Sequence, residues 1–294
     1  MTDYNKKFLT FDEQIGLLED RGLIIDNKEK LLSILKHVSY YHLSIYCKAF
    51  QNENDQFKDG TTLQNVWDVY NFDKKLRLLL LDVLERIETS LKCILIYEIS
   101  KSKNDNYWYS RRDNYIVQSR SEEKKKFEKF LEYILNNIKF SQEIYIQHYY
   151  NEYSFPKYPP SWMFFEDLSF GKCVKIVRNL NDSEENIIAS FYQMNKKSIQ
   201  MLHRLSVLRN SCAHHSRIWN RNFTMKMPKY NAVFNEVRRN SLFAYVVAIQ
   251  IFFKKINPKS NWLDRLEDLI SEYNVEIYRM GFPHDWKDRL KSII

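Results

Sequence analysis

Residues 61–100 read TTLQNVWDVYNFDKKLRLLLLDVLERIETSLKCILIYEIS. Apolar side chains recur every three or four positions along this stretch, which is the spacing of one face of an α-helix. The stretch contains neither glycine nor proline, so no residue in it would interrupt a helix. The sequence therefore predicts one long helix, or two nearly coaxial helices, with Thr61 and Thr62 as the cap.

Residues that make tight turns are scarce in the whole chain. Its 294 residues include only five glycines and six prolines, and no two glycines are closer than six positions. Dinucleotide-binding and P-loop motifs need clustered glycines, so that backbone amides can approach phosphates. Sandwiches and barrels need many Gly/Pro turns. These absences exclude the common nucleotide-binding folds and predict an all-α protein with long helices.

Helical periodicity continues through most of the remaining sequence. We find no internal repeat or flexible linker, and we expect a single domain over residues 1–294 with a possible N-terminal subdomain at 1–60. Beyond the long helix, we predict helices at 11–21, 27–50, 125–140, 142–150, 162–180 (capped by Ser161), 183–192, 196–212, 231–256 and 261–273.

The net charge of +8 is concentrated in one window. Between residues 196 and 239, ten lysines and arginines stand against one acid, Glu236, so this window alone carries +9. Basic side chains neutralise phosphates, and aromatic rings stack on unpaired bases. The window predicts RNA contact rather than a merely solvated basic face, and Trp219 is either a stacking platform or a packing residue. The predicted RNA-binding residues are Lys196, Lys197, Arg204, His215, Arg217, Trp219 and Arg221.

Residues 208–221 read LRNSCAHHSRIWNR. Four residues separate Arg209 from His214, and the first of these four is Asn210. This spacing resembles the R-x4-6-H motif of HEPN ribonucleases. Further stretches resemble, in the same order, those of the AbiD/AbiF-type abortive-infection proteins, a branch of HEPN. They are YYHLSIY (40–46), FDKKLR (72–77), ERIE (85–88), PPSW (159–162), EDLSFG (166–171) and MGFPHDW (280–286).

The resemblance implies an elaborated HEPN-like helical bundle, with the motif region at 161–257, and a toxin that cleaves RNA during phage defence. It implies catalysis by Arg209, Asn210 and His214 without a metal or other cofactor. A histidine can remove the proton of the 2′-OH, which then attacks the neighbouring phosphorus and expels the 5′-oxygen. An arginine can stabilise the phosphorane oxygens, and Asn210 can bind a phosphate or hold the histidine.

The spacing of Arg209 and His214 raises a geometric question. Positions i and i+5 of a regular helix point about 140° apart, so both side chains cannot enter one site from an undistorted helix. Either the helix ends near Cys212, or two copies of the chain share a cleft. HEPN relatives pair two motifs across a dimer, so the resemblance implies a homodimer.

Several alternatives stay open at this stage. Either His214 or His215 could be a structural histidine, and a zinc set with His203 and Cys212 is disfavoured because no ligand pair has a recognised spacing. Asp82, Glu85 and Glu88 on the long helix could be acid–base groups, but at helical spacing such residues more often form salt bridges, and one of the three could pair with Arg209. A protein with this sequence could also be an RNA-binding scaffold that holds a small noncoding RNA and does little chemistry.

The expected location is the cytoplasm. No two of the four cysteines have the spacing of a metal-ligand pair, and a chain of this length needs no disulfide framework. The N-terminus lacks an apolar signal segment, and the longest apolar run is too short to span a bilayer, so we expect no membrane insertion. The expected partners are RNA, as substrate or as an inhibitory noncoding RNA, and a second copy of the chain.

Overall fold

The computed structural model describes residues 7–116, 122–230, 234 and 237–293. The prediction of an all-α protein is confirmed, because the described residues form helices and no β-sheet, with β pairing limited to three isolated bridges. In chain order the α-helices of the described residues are α1 (Phe11–Asp20), α2 (Lys28–Val38), α3 (Tyr40–Cys47), α4 (Leu63–Cys93), α5 (Ser100–Lys103), α6 (Glu122–Asn137), α7 (Ile144–Glu152), α8 (Ser161–Asp167), α9 (Phe170–Val177), α10 (Asp182–Phe191), α11 (Lys196–Ala213), α12 (Leu242–Ile256), α13 (Trp262–Tyr273) and α14 (Trp286–Lys291).

The long helix predicted from residues 61–100 is present. Helix α4 runs for 31 residues and continues through a π-helical turn, Ile94–Ile99, directly into α5. The predicted cap is also in place, since the backbone N–H of Asn65 donates to Oγ1 of Thr62 at 3.2 Å. One face of α4 is buried along its length, which accounts for the apolar period of the sequence.

Three other helix predictions need correction. The stretch 27–50 is broken at Ser39, whose φ of +69° cannot continue a helix. The stretch 162–180 forms two helices, α8 and α9, and Ser161 does not cap but is buried, with its Oγ 2.9 Å from Oγ of Ser100. Part of the stretch 231–256 lies outside the described residues, and α12 begins at Leu242 after the cap Ser241.

The fold divides into two compact units by contact density. The first contains residues up to Leu78 together with Leu263–Glu276, and the second contains Leu79–Trp262 and Ile277–Ile294. In the second unit every residue from Leu242 to Phe253 on α12 is buried, so this helix lies at the centre of its core. Helix α11 packs against α9, α10 and α12, which fixes the basic window to the core.

A buried ion pair holds the first unit together. Arg77 and Asp73, one turn apart on α4, are 4% and 0% exposed, and Nη1 of Arg77 contacts Oδ2 of Asp73. The hydroxyl of Tyr46 on α3 donates to the same carboxylate oxygen at 2.7 Å and lies 3.3 Å from the guanidinium. Burial, and then the Asp73 charge, raise the pKa of Tyr46. The tyrosine therefore stays a donor, and this cluster links α3 to α4.

Gly281 is required by a close approach in the second unit. Its φ is +83°, and a Cβ built there would lie 2.4 Å from Oγ of Ser241, the cap of α12. We expect Gly281→Ala to destabilise the protein by about 2 to 4 kcal/mol, from backbone strain and overpacking together. Urea unfolding measures the change. Gly60→Ala is the control, since Gly60 has a φ of +77° but open space around it, and strain alone should cost about 1 to 2 kcal/mol. Equal effects at both positions would contradict the clash.

Candidate active site

The histidines lie where α11 ends. The backbone N–H of His215 donates to the carbonyl of Cys212, and that of Ser216 donates to the carbonyl of Ser211. These two bonds form a Schellman motif, in which the residue after the cap takes the left-handed conformation. His215 occupies that position with a φ of +57°, and His214 is the cap residue. The sequence has no glycine here, so His215 takes a conformation that glycine usually supplies.

Arg209 is held by a carboxylate of α4. Its Nε lies 3.3 Å from Oε2 of Glu88, whose side chain is 11% exposed. The other carboxylate oxygen of Glu88 faces Nζ of Lys92 at 3.9 Å, and Lys92 donates to the carbonyl of Glu166 at 3.0 Å. One acid of the long helix does therefore pair with Arg209, and that acid is Glu88.

Asn210 is the second neighbour of Arg209. Its Oδ1 accepts a long hydrogen bond of 3.4 Å from Nη1 of the arginine. Nε is bound to Glu88 and Nη1 is directed to Asn210, which together orient the guanidinium, and Nη2 has no hydrogen-bond partner among the described residues. The Arg209 side chain is one third exposed, so this group can reach a ligand from solvent.

Arg209 and His214 do not converge within one chain. The helix continues to Ala213, one residue past the expected end, so the rotation of about 140° between the two positions remains. No hydrogen bond joins the two side chains in the described part of the chain, and the rings of His214 and His215 are exposed. The structure thus brings Arg209 and Asn210 together and leaves His214 on another face of α11.

The basic residues predicted to bind RNA have different surroundings. Lys196 is paired with Asp182 at 2.9 Å, and Lys197 is exposed. Arg204 donates from Nε to the carbonyl of Lys226 at 3.2 Å and from Nη1 to that of Gln200 at 2.7 Å. The bond to Lys226 attaches the loop after α11 to the helix, whereas the bond to Gln200 lies within α11.

The loop after α11 carries the remaining predicted cations. Arg221 contacts Oγ of Ser211 at 3.4 Å and lies over the ring of Phe223 at 5.4 Å, and Arg217 is half-buried. Trp219 is a correction, because its side chain is only 2% exposed. Its ring belongs to the core of the second unit and is not available to stack on a base. The alternative that Trp219 packs is the one the structure supports.

A small cavity is lined by predicted cations together with residues that the sequence analysis did not select. It measures about 470 Å³ and is lined by Arg178, Glu185, Ile199 and Gln200, together with Lys196, Lys197 and Arg204. His203 contacts Arg178, with 3.3 Å between Nδ1 of the imidazole and Nη1 of the guanidinium. Arg178 is 18 residues before α11, so no local sequence signal links it to the basic window.

Among the described residues, no group of three or more His, Cys, Asp or Glu side chains is arranged to hold a metal ion. Within the same residues, no helix has both the length and the apolar run that crossing a bilayer requires.

The fold and this arrangement define an all-α protein with an arginine and a histidine at the end of one basic helix. A family model described as Abi-like protein matches residues 33–220, or 188 of the 294 residues. The chain belongs to this Abi-like family, which supports a role in abortive infection. The match includes Arg209, Asn210, His214 and Glu88. No curated protein and no solved structure matches the chain.

Proposed function

We propose that this protein is a HEPN-type endoribonuclease of the AbiD/AbiF kind, which cleaves RNA without a metal as the effector of abortive infection. The proposal rests on the arrangement of two side chains at the end of α11. There a carboxylate fixes Arg209 by its Nε, and His214 projects from the cap into solvent. An oriented cation and an accessible imidazole are the two groups that 2′-OH attack on a phosphodiester requires.

Each residue has one task in this reaction. His214 accepts the proton of the 2′-OH as that oxygen attacks phosphorus, the bond from phosphorus to the 5′-oxygen breaks, and the leaving 5′-oxygen takes a proton from water. Arg209 stabilises the negative oxygens of the transition state, and Asn210 holds the guanidinium or the phosphate. The products are a 2′,3′-cyclic phosphate and a 5′-OH. DNA lacks the nucleophile, so RNA is the substrate.

The divergence of the two side chains supports a homodimer with composite sites. One chain points Arg209 and His214 about 140° apart, so a single chain lacks a complete site. Two copies related by a two-fold axis can place the arginine of one beside the histidine of the other, twice. Activity then depends on the dimer, and the proposed setting of that dimer is the cytoplasm.

Subunit mixing tests the composite site. Arg209→Ala protein and His214→Ala protein are each expected to be inactive on labelled RNA in EDTA. After exchange of subunits in equal amounts, half of the dimers are mixed and each holds one intact site, so about a quarter of the wild-type activity should return. No recovery after confirmed exchange would mean that each site lies within one chain. Product ends other than a 2′,3′-cyclic phosphate would contradict the mechanism.

Glu88 is expected to position Arg209. We predict that Glu88→Gln lowers kcat/KM for RNA by about tenfold to a hundredfold, because the guanidinium loses the carboxylate that fixes its direction. The control is Asp82→Asn, which weakens an exposed pair with Arg86 on the same helix and should change kcat/KM little. A higher kcat/KM in Glu88→Gln would show instead that Glu88 restrains Arg209.

A second candidate function has one observation in its favour. Arg209 is already engaged by Glu88 and Asn210, as in a structural ion pair. An RNA-binding scaffold that holds a small noncoding RNA would need only the basic surface and no catalytic pair. If RNA copurifies with the protein and binds with a steep salt dependence, while no RNA is cleaved by any oligomer, the scaffold is the better description. In the ribonuclease model the same noncoding RNA would be the inhibitor.

A further inference from the structure

The cavity beside the N-terminal half of α11 has more positive charge than its surroundings neutralise. Arg178, Lys197 and Arg204 have no carboxylate partner in the part of the chain that the structure describes, and Lys196 is already paired with Asp182. One acid, Glu185, lines the cavity, and burial raises the pKa of its carboxyl group. Three cations against one carboxylate leave this concave surface with a net positive charge, which favours an anionic ligand.

His203 fixes the direction of Arg178. Burial, and then the charges of Arg178 and Arg204, lower the pKa of the His203 imidazole. A neutral imidazole can accept at Nδ1 the hydrogen bond that Nη1 of Arg178 offers at 3.3 Å. A guanidinium oriented in this way keeps its other nitrogens for a ligand. Arg178 is exposed, so a ligand can reach it.

An exposed strip of α11 joins this cavity to His214. At 100° per residue, Lys196, Gln200, His203, Asn210 and His214 all lie within about 80° of one another around the helix axis. Each of these residues is exposed or half-exposed. Arg209 lies on the opposite side, against Glu88. The cavity and the histidine therefore face the same way.

A further cation, Arg221, lies at the edge of this exposed strip of α11. Arg221 reaches Oγ of Ser211 from the loop, at a level between Arg204 and His214. Gln200 and His214 are 14 positions apart, a distance of about 21 Å along the helix. At about 3.4 Å per stacked nucleotide, this distance corresponds to about six nucleotides.

We infer that the cavity formed by Arg178, Lys197 and Arg204 binds a phosphate of an RNA strand about six nucleotides from the ribose that lies at His214. This inference rests on the proposed function, since it takes RNA as the ligand and His214 as the catalytic end. In this phosphate subsite Arg178 is the principal ligand, and His203 positions that arginine. The substrate then needs a minimum length on one side of the cut.

The test uses substrates in which one ribose can be cleaved. All other positions carry a 2′-O-methyl group, which blocks the nucleophile, so the cleavable ribose fixes the register. Extending one flank from about three to about nine nucleotides should raise kcat/KM, and extending the other flank should not. In Arg178→Ala protein the long and short substrates should be cut with similar kcat/KM. The control Lys172→Ala removes an exposed cation of α9 that does not line the cavity, and it should keep the gain.

Binding provides a readout that does not depend on cleavage. For a nine-nucleotide strand, Arg178→Ala should weaken binding about threefold to tenfold and reduce the slope of log K against log salt by about 0.7. His203→Ala should show part of this loss, and His203→Gln, whose amide oxygen can accept from Arg178, should restore it. Equal effects of Arg178→Ala and Lys172→Ala, or a length gain that survives Arg178→Ala, would overturn the subsite. If wild-type protein cleaves none of the substrates, the proposed function fails, and the salt slope alone decides whether the cavity binds RNA.

Discussion

Replacing Arg209 or His214 with alanine is expected to lower the rate of RNA cleavage by about 10²-fold to 10⁴-fold. This is the usual contribution of one acid–base group or one oriented electrostatic group to a transition state. Both side chains lie at the surface end of α11, and Glu88 keeps Lys92 as a partner when Arg209 is removed. We therefore expect folded proteins. Single-turnover cleavage of end-labelled RNA and toxicity at equal expression measure the effect.

Two further variants at the end of α11 serve as matched controls for this experiment. Arg209→Lys keeps a positive charge near Glu88 but loses the planar fork, so its activity should stay well below that of the wild type. His215→Gly removes the neighbouring imidazole and relieves the left-handed backbone at φ +57°, so the variant should fold well and lose less activity than His214→Ala. If His215→Gly loses as much activity as His214→Ala, the two histidines cannot be separated as catalyst and neighbour. Full toxicity of Arg209→Ala would contradict the site.

Replacing Asp73 with alanine is expected to be the most destabilising single change described for the first unit. The carboxylate is fully buried, and its removal leaves the Arg77 guanidinium buried without its nearest counter-charge. Breaking such a pair by removing one partner costs about 3 to 5 kcal/mol. The shift of the urea unfolding midpoint, followed by circular dichroism, measures this cost.

Two controls separate the buried charge from general damage. Glu272→Ala removes an exposed partner of Lys75 in the same unit, and the unfolding midpoint should change little. The double change Asp73→Leu with Arg77→Met removes both charges and should recover part of the loss, because no uncompensated charge then remains in the core. A small effect of Asp73→Ala alone would mean that water reaches Arg77.

Long-range pairing explains which parts of the site the sequence could not predict. The pattern of residues 61–100 was sufficient for α4, and the spacing after Arg209 was sufficient to select the end of α11. Glu88 was only one of three acids that could pair with Arg209, since helical spacing puts several carboxylates on neighbouring faces. Arg178 was not selected, because its position beside His203 depends on the packing of α9 against α11.

Some residues of the stretches that carry the family resemblance have structural tasks. Asp73 and Arg77 form a buried pair with Tyr46, and Gly281 makes room for the cap of α12. Trp219, selected as a possible base platform, is buried. A sequence motif alone does not distinguish residues that pack in the core from residues that bind a ligand, whereas the burial of each side chain does.

Local periodicity and composition are sufficient to predict the all-α class, the long helix and the concentration of charge after residue 196. The spacing of Arg209 and His214 in the sequence is likewise sufficient to select the end of α11 as the candidate site. The contact of Glu88 with Arg209, and the position of Arg178 beside the cations of α11 around one cavity, follow from the packing of helices and could not be predicted from the sequence. Those relations join residues far apart in the chain, and they exist only because helices that bury their apolar faces against one another bring particular charged side chains within a few ångströms.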